Sequence, residues 1–170
     1  MSMTEVLAYI GLGSNLDNPE SQLKTAIEAL TGLPQTRLQA RSSLYRSAPM
    51  GPQDQPDYLN AVVQLSTGLE PEALLDKLQG IEQAQGRVRA QHWGPRTLDL
   101  DILLYGEDVV ATERLKIPHP GIAERSFVLY PLAEINGQLE IPELGGVGSL
   151  MEQCPDAGLS RLPITAQSAG

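Results

Sequence analysis

The chain has 170 residues, 41% of them hydrophobic, which is enough for one compact core but short for two, so we expect a single domain over residues 1–170. A net charge of -9 argues against broad binding to nucleic acid or to anionic membranes, because the chain would repel both. The lone cysteine, Cys154, cannot form an internal disulfide, and no signal segment or apolar stretch of about 18 residues is present, so we expect a cytoplasmic protein.

The start of the chain predicts a buried strand followed by a helix. Residues 6–12 are apolar and run into the glycine-rich segment 11–15, after which Pro19 suits the first turn of a helix. The apolar stripe of this helix is Leu23, Ile27 and Leu30. The Gly-x-Gly of the loop lacks the third glycine of a dinucleotide-binding motif, and the chain has no Gly-Lys-Ser/Thr sequence, so a Rossmann or P-loop site is not expected.

The elements that follow suggest the fold. They are a strand at 37–45, a loop at 48–57, a strand at 58–66, a helix at 71–85 and a strand at 98–105. Gly86 is predicted to end the helix, and the loop is either a solvated connector or a segment that closes over a ligand. The succession βαββαβ predicts an α+β, ferredoxin-like sandwich, with two helices on one face of an antiparallel sheet and a site on the other. From residue 136 onward the chain is predicted to be irregular.

Two aspartates alternate with apolar residues in the last of these strands. In an extended backbone the apolar residues point to one face, and Asp99 and Asp101 point to the other. Their Cα atoms would lie about 6 to 7 Å apart, so the carboxylates could bind one or two hard cations, of which Mg²⁺ suits such oxygen ligands. The alternative is a solvated face of an amphipathic strand. Arg96, just before the strand, suits a phosphate contact or an ion pair with an aspartate.

Basic charge is concentrated around this strand. Six of the 12 Lys and Arg residues fall between positions 87 and 125, together with both histidines. The same window contains six acidic residues, so its charge is balanced rather than strongly positive. A small polyphosphate that binds together with Mg²⁺ suits such a window better than a long polyanion does.

Several separated motifs resemble the 6-hydroxymethyl-7,8-dihydropterin pyrophosphokinase family. Residues 92–103 contain its Arg-x-x-Asp-Leu-Asp signature. The other motifs are Gly-x-Gly-Ser-Asn-Leu, Gly-Pro-Gln-Asp-Gln-Pro-Asp-Tyr-Leu-Asn and Gly-Arg-Val-Arg, which begin at Gly11, Gly51 and Gly86. The likeness covers residues 5–135 and implies a ferredoxin-like fold. It also implies transfer of diphosphate from ATP to the pterin hydroxymethyl group in folate biosynthesis, with release of AMP.

The resemblance implies a nucleotide half of the site. Asp99 and Asp101 would hold two Mg²⁺ ions that bridge the ATP phosphates, and Arg87 and Arg96 would join them in catalysis. The full set that the resemblance assigns to the nucleotide is Glu82, Arg87, Arg89, Trp93, Arg96, Ile102, Arg114, His119 and Arg125. Arg89 and Trp93 would belong to a loop that closes over ATP and excludes water.

The resemblance also implies a pterin half. Tyr58 and Phe127 would stack on the two faces of the ring, and Asn60 would hydrogen-bond its amide and amine edge. The remaining contacts that it assigns to the pterin are Ser47, Ala48, Met50 and Trp93. Because aromatic side chains are common in cores, core packing is the alternative for Tyr58 and Phe127.

Two other functions stay open from the residues. A metal-dependent nucleotide phosphodiesterase or hydrolase would use the same Asp-x-Asp pair without any pterin, and a noncatalytic ferredoxin-like domain would bind a ligand without turnover. In each case the expected partners are small molecules, and the expected state is a monomer. No residue is assigned as general base for the pterin hydroxyl.

Overall fold

The computed structural model describes residues 5–15, 19–47, 58–89, 98–154 and 159–161. For residues 86–89 and 160, it describes the backbone only. The elements in these ranges are, in chain order, β1 (Val6–Ser14), α1 (Pro19–Thr31), β2 (Thr36–Arg41), β3 (Tyr45–Ser47), β4 (Tyr58–Thr67), α2 (Pro71–Arg89), β5 (Leu98–Tyr105), β6 (Val110–Ala111), β7 (Lys116–Ile117), α3 (Ser126–Ile135), β8 (Glu140–Ile141), β9 (Gly145–Gly146), α4 (Val147–Glu152) and β10 (Ser160–Arg161).

A six-stranded antiparallel sheet forms the centre of the fold. Its order is β10-β3-β4-β1-β5, and β2 also pairs with β4. The central strand β1 lies between β4 and β5 and is antiparallel to both. Since β2 and β3 pair successively with β4, they act as one interrupted strand, and the succession is βαββαβ. The predicted ferredoxin-like fold is therefore confirmed.

One face of the sheet packs against α1 and α2. The predicted α1 stripe is buried, and in α2 Leu74 and Leu78 are fully buried while Leu75 and Ile81 are partly buried. These side chains meet alternate residues of β1, β4 and β5, because every second residue of a strand points to the same face. The two helices and the sheet thus enclose the larger of the two apolar cores found in the described residues.

The opposite face is partly covered, which the sequence did not predict. Helix α3 packs on this face with Leu129 and Leu132 fully buried, and α4 packs on α3. Pro131 lies inside α3, and a proline normally argues against a helix because it removes an amide donor. The burial of its apolar neighbours offsets that loss. Only the part of this face beyond α3 remains for a site.

Two predicted boundaries were wrong. Helix α2 continues past Gly86 to Arg89, because one helical glycine costs only about 1 kcal/mol, which a helix of 19 residues can tolerate. The strand predicted at 37–45 is broken at residues 42–44 into β2 and β3. The segment after residue 136 is less irregular than predicted, since it contains the β8–β9 hairpin, α4 and β10. Within the described residues no helix is long and apolar enough to cross a membrane.

The larger core should dominate stability. We expect Leu74→Ala to lower the free energy of unfolding by about 2–5 kcal/mol, because it leaves a cavity beneath the sheet. Leu7→Ala is the matched control: Leu7 is 46% exposed, so its truncation should change stability by less than about 0.5 kcal/mol. Urea denaturation of both variants measures the difference, and equal losses would contradict the assignment of the core.

Candidate active site

The two aspartates of β5 share one face of the sheet, as the alternation predicted. The apolar residues that alternate with the aspartates, Leu98, Leu100 and Ile102, are at most 5% exposed and belong to the larger core. On the other face Asp99 is exposed and Asp101 is half-buried. Carboxylates on a solvent-accessible face, with an apolar layer directly beneath them, are well placed to bind a ligand from solution.

Two glycines of β1 form the floor between the strands. Gly13 pairs with Asp99 of β5 on one side and with Asn60 of β4 on the other, and Gly11 pairs with Asp101. A Cβ atom on Gly13 would lie 3.2 Å from Oδ1 of Asn60. At about 4.8 Å per strand, the open row from Asn60 to Asp99 spans about 10 Å. This floor is visible in the sequence as a Gly-x-Gly pair, which has the same period of two as the Asp-x-Asp pair.

Asn60 is held in one orientation. Its Nδ2 donates to the carbonyl oxygen of Tyr45 at 3.3 Å and to Oγ of Ser47 at 2.8 Å. Because a carbonyl oxygen can only accept, the amide nitrogen must face β3 and Oδ1 must face the glycine floor. Asn60 is 4% exposed, so its side chain is fixed, and its Oδ1 is the atom that could accept from a ligand on the floor.

Glu82 of α2 is bonded to the strand between the two aspartates. Its Oε2 accepts from the backbone N–H of Leu100 at 2.6 Å. Burial raises the pKa of Glu82, the bond from Leu100 opposes the rise, and the charges of Asp99 and Asp101 add to it. Among the described strands β5 lies at the edge of the sheet, so Glu82 satisfies an amide on the side of β5 that faces away from β1. The predicted nucleotide residue thus also fixes the strand of the aspartates.

The donor set fits Mg²⁺. Within the described residues no three His, Cys, Asp or Glu side chains form a metal-binding group. Mg²⁺ does not require one, because it is usually held by one or two carboxylates, with waters and substrate phosphates as its other ligands. Asp99 and Asp101 supply two such carboxylates on one open face. They could hold Mg²⁺ together with a polyphosphate.

His119 lies beside the same strand edge. Its backbone N–H donates to the carbonyl of Leu103 at 3.1 Å, and its Nδ1 accepts from the N–H of Gly121 at 3.1 Å. Burial lowers the pKa of His119, with Asp101 opposing and Arg125 adding to the effect. The ring is therefore neutral at pH 7 with its proton on Nε2, and so it is a donor there.

Arg125 and Phe127 lie next to each other at the start of α3. The guanidinium carbon of Arg125 is 5.8 Å from the centre of the Phe127 ring, within the range of a cation–π contact. Phe127 and Tyr58 are each half-buried, and Phe127 also packs against the second core. A Cβ on Gly13 would lie 3.9 Å from the Tyr58 ring, so Tyr58 borders the floor.

Two predicted nucleotide residues are placed differently from the rest. Arg114 is exposed and donates to Asp76 at 2.6 Å and to Glu72 at 3.5 Å. The hydrogen bond to Asp76 is the main cause of the raised pKa of Arg114. Asp76 is about 9 Å from Glu82 along the axis of α2, so the structure does not bring Arg114 to the aspartates. The Ile102 side chain is buried in the larger core, so only its backbone, at the strand edge, can meet a ligand.

Several predicted site residues cannot be placed. Ala48, Met50, Trp93 and Arg96 lie outside the described residues, as does the loop at 48–57. Arg87 and Arg89 belong to the last turn of α2, of which only the backbone is described. The described residues that do gather around the floor and its edges are Ser47, Tyr58, Asn60, Glu82, Asp99, Asp101, His119, Arg125 and Phe127.

Sequence comparisons identify the family. The family model of 7,8-dihydro-6-hydroxymethylpterin-pyrophosphokinase matches residues 9–137. The chain is 52% identical over 155 residues to the 2-amino-4-hydroxy-6-hydroxymethyldihydropteridine pyrophosphokinase of Pseudomonas aeruginosa, covering 91% of this chain and 96% of that one. It is 50% identical over 157 residues to the enzyme of the same name from Haemophilus influenzae, covering 92% and 98%. The chain belongs to this pyrophosphokinase family.

Solved structures support the fold. A Plasmodium falciparum HPPK-DHPS variant in complex with STZ-DHP has a TM-score of 0.70 and 13% sequence identity, with 89% of this chain and 46% of that chain covered. The wild-type Plasmodium falciparum HPPK-DHPS with pterin and p-hydroxybenzoate has a TM-score of 0.68 at 12% identity, with 89% and 43% covered. The chain thus spans less than half of these two proteins, and at such identities the likeness concerns the fold alone.

The bond from Leu100 to Glu82 should be measurable through stability. We expect Glu82→Gln to retain an acceptor for the Leu100 N–H and to unfold with a free energy at least equal to that of the wild type. Glu82→Met should be about 1–3 kcal/mol less stable than Glu82→Gln, because it leaves the amide unsatisfied. Denaturation at pH 7 compares them, with Glu107→Gln in an exposed turn as control. Equal stability of the Gln and Met variants would show that the bond contributes nothing.

Proposed function

We propose that this protein transfers the diphosphate group of ATP to the hydroxymethyl oxygen of 6-hydroxymethyl-7,8-dihydropterin and releases AMP. Membership of the pyrophosphokinase family is the background to this proposal. The observation that carries it is the row from Asn60 through Gly13 to Asp99. This row places the amide that would bind the pterin about 10 Å from a pair of carboxylates. Two substrates that must react with each other would lie along one floor.

The reaction balances without a redox step. The pterin hydroxyl oxygen forms a bond to the β-phosphorus, the bond from that phosphorus to the oxygen bridging it to the α-phosphorus breaks, and the hydroxyl proton is lost to solvent or a base. AMP leaves with the bridging oxygen. The main task of the protein is then to hold two reactants in line and to stabilise negative charge. We leave the general base unassigned.

We propose two Mg²⁺ ions as the cofactor, held by Asp99 and Asp101. Such ions, when bound, neutralise phosphate charge and orient the transferred group. The chain itself contributes a neutral His119 that donates through Nε2, and the guanidinium of Arg125. Both can bind phosphate oxygens next to the aspartates. The proposed nucleotide side also includes Glu82, the backbone of Ile102, Arg87, Arg89, Trp93, Arg96 and Arg114.

The proposed pterin side uses the fixed acceptor of Asn60. Its Oδ1 faces the floor and can accept from an N–H of the pterin, while Tyr58 and Phe127 are half-buried and can stack on a flat ring. The hydroxyl of Ser47 accepts from Asn60 and so belongs to the same side. The remaining proposed contacts are Ala48, Met50 and Trp93. We also propose a cytoplasmic monomer, on the grounds of the composition and the single cysteine.

The decisive test is a product assay. The wild type should form AMP and pterin diphosphate in equal amounts from Mg²⁺-ATP, and only when 6-hydroxymethyl-7,8-dihydropterin is present. Hydrolysis of ATP without pterin would indicate a nucleotide hydrolase, and binding of both ligands without turnover would indicate a noncatalytic domain. Either result would overturn the proposal.

Removal of one carboxylate should reduce transfer. We expect Asp101→Asn to lower kcat/KM by about 100-fold or more, because charge stabilisation at a phosphoryl group has that magnitude. The pterin affinity, measured by calorimetry, should stay within about twofold. Asp108→Asn, in the exposed turn after β5, is the control and should retain activity. Unchanged transfer by Asp101→Asn would remove the metal assignment.

Replacement of Asn60 should affect the other substrate. We expect Asn60→Ala to weaken pterin binding by about 10-fold, since a fixed acceptor is lost, and to leave ATP affinity unchanged. Gln64→Ala is a suitable control, because Gln64 lies on the same strand and face but donates to Tyr9. A fall in ATP affinity with constant pterin affinity would mean that the two sides are assigned the wrong way round.

A further inference from the structure

The short strand β3 reaches its position through a bulge. Arg41 pairs with Val63 and Tyr45 pairs with Asn60, so residues 42–44 stand opposite only residues 61–62 of β4. The buried Ser42 stays on β4, because its N–H donates to the carbonyl of Val62 and its Oγ accepts from the N–H of Val62. The extra residue alters the pairing that follows, so the bulge determines which residues of β3 meet Asn60.

Glu134 of α3 holds the protruding residue of this bulge. Its carboxylate accepts from the backbone N–H of Ser43 at 3.0 Å, from Oγ of Ser43 at 2.7 Å and from the hydroxyl of Tyr45 at 2.8 Å. These bonds help to lower the pKa of Glu134, although burial raises it. Burial, together with the nearby carboxylate, raises the pKa of Tyr45 to about 12. Glu134 is thus an ionised acceptor and Tyr45 a neutral donor at pH 7.

The C-terminal strand β10 completes the same cluster. Arg161 donates through Nη2 to Glu134 at 3.2 Å and through Nε to Oγ of Ser43 at 3.1 Å. Its backbone also pairs with Tyr45, so β10 covers the outer edge of β3. Strand β10 lies beyond residues 9–137, the part of the chain that the family model matches.

The cluster is bonded directly to the support of Asn60. Tyr45, which donates to Glu134, accepts from Nδ2 of Asn60 through its carbonyl. Two residues later Ser47 accepts from the same Nδ2. The orientation of Asn60 therefore depends on the position of a three-residue strand, which such a short pairing cannot fix alone. Arg161 holds that strand from β10, on the side opposite β4, and Glu134 holds it from α3, which packs on the face of the sheet.

We propose that Glu134 and Arg161 form a clamp on β3 that positions Asn60 for the pterin, so that strand β10 is part of the pterin side of the site. This inference rests on the proposed function. Both are positioning residues, because their bonds go to Ser43 and Tyr45 and they act on the ligand only through β3 and Asn60. On the nucleotide side, Asp99 and Asp101 lie on β5, which β1 and β4 separate from β3. The hydrogen bonds and charges that act on Glu134 come from Ser43, Tyr45 and Arg161, and not from the nucleotide-side residues His119 and Arg125. Loss of the clamp should thus affect one substrate selectively.

Steady-state kinetics of Arg161→Met tests the clamp in the full-length chain. The variant keeps most of the side-chain length and removes both charge-assisted bonds. We expect KM for 6-hydroxymethyl-7,8-dihydropterin to rise about 3- to 10-fold, the equivalent of one or two hydrogen bonds. KM for ATP and kcat should change less than about twofold. Tyr45→Phe, which removes only the hydroxyl bonded to Glu134, should raise the same KM.

Arg37→Met is the matched control. Arg37 also forms an exposed ion pair on a strand next to β4, with Glu5 at 3.3 Å, but it pairs with Ser66 at the far end of that strand. The KM values of Arg37→Met for both substrates should equal those of the wild type. If Arg161→Met lowers Tm but leaves the pterin KM unchanged, or raises both KM values equally, the clamp is merely structural and the inference fails. A wild type that makes no pterin diphosphate would instead overturn the proposed function.

Discussion

The pairing of β1 with both of its neighbours is the constraint on which the site depends. Gly13 pairs with Asn60 on one side and with Asp99 on the other, so a single register places the amide of Asn60 and the carboxylate of Asp99 in one row. A slip of one residue would turn Asp99 and Asp101 into the core and Leu100 outward, at a high cost in buried charge and lost burial. The hydrophobic core therefore enforces the geometry of the site.

The acidic side chains near the proposed phosphate site would disfavour an anionic ligand that binds without a cation. The chain carries -9 overall, and Glu82, Asp99 and Asp101 lie close enough for the two aspartates to raise the pKa of Glu82. A polyphosphate would meet an unfavourable field there unless positive charge accompanied it. Divalent ions on the aspartates, together with arginines such as Arg125, would reverse the local field. A metal-free site of this composition would bind ATP weakly.

Features set by local sequence were predicted, and features set by tertiary contacts were not. Alternation from Leu98 to Ile102 predicted the face of Asp99, because burial on one face leaves a period of two in the sequence, and the apolar run that follows predicted that β5 continues to Tyr105. Helix α3 was missed because Pro131 argues against a helix locally and only the second core supports it. The bulge before β3 was missed because Ser42 and Ser43 are held by β4 and by Glu134, which are remote in sequence.

The outer edge of β5 shows why site residues and stabilising residues overlap. An edge strand exposes backbone groups that can recruit strands from other molecules, and proteins usually cover or interrupt such an edge. Here the carboxylate of Glu82 accepts from the N–H of Leu100, and the backbone N–H of His119 donates to the carbonyl of Leu103. Both residues flank the aspartates, so the groups that would bind a nucleotide also satisfy the edge. A substitution at Glu82 or His119 therefore changes strand stability and ligand chemistry together, and only paired binding and unfolding measurements can separate the two effects.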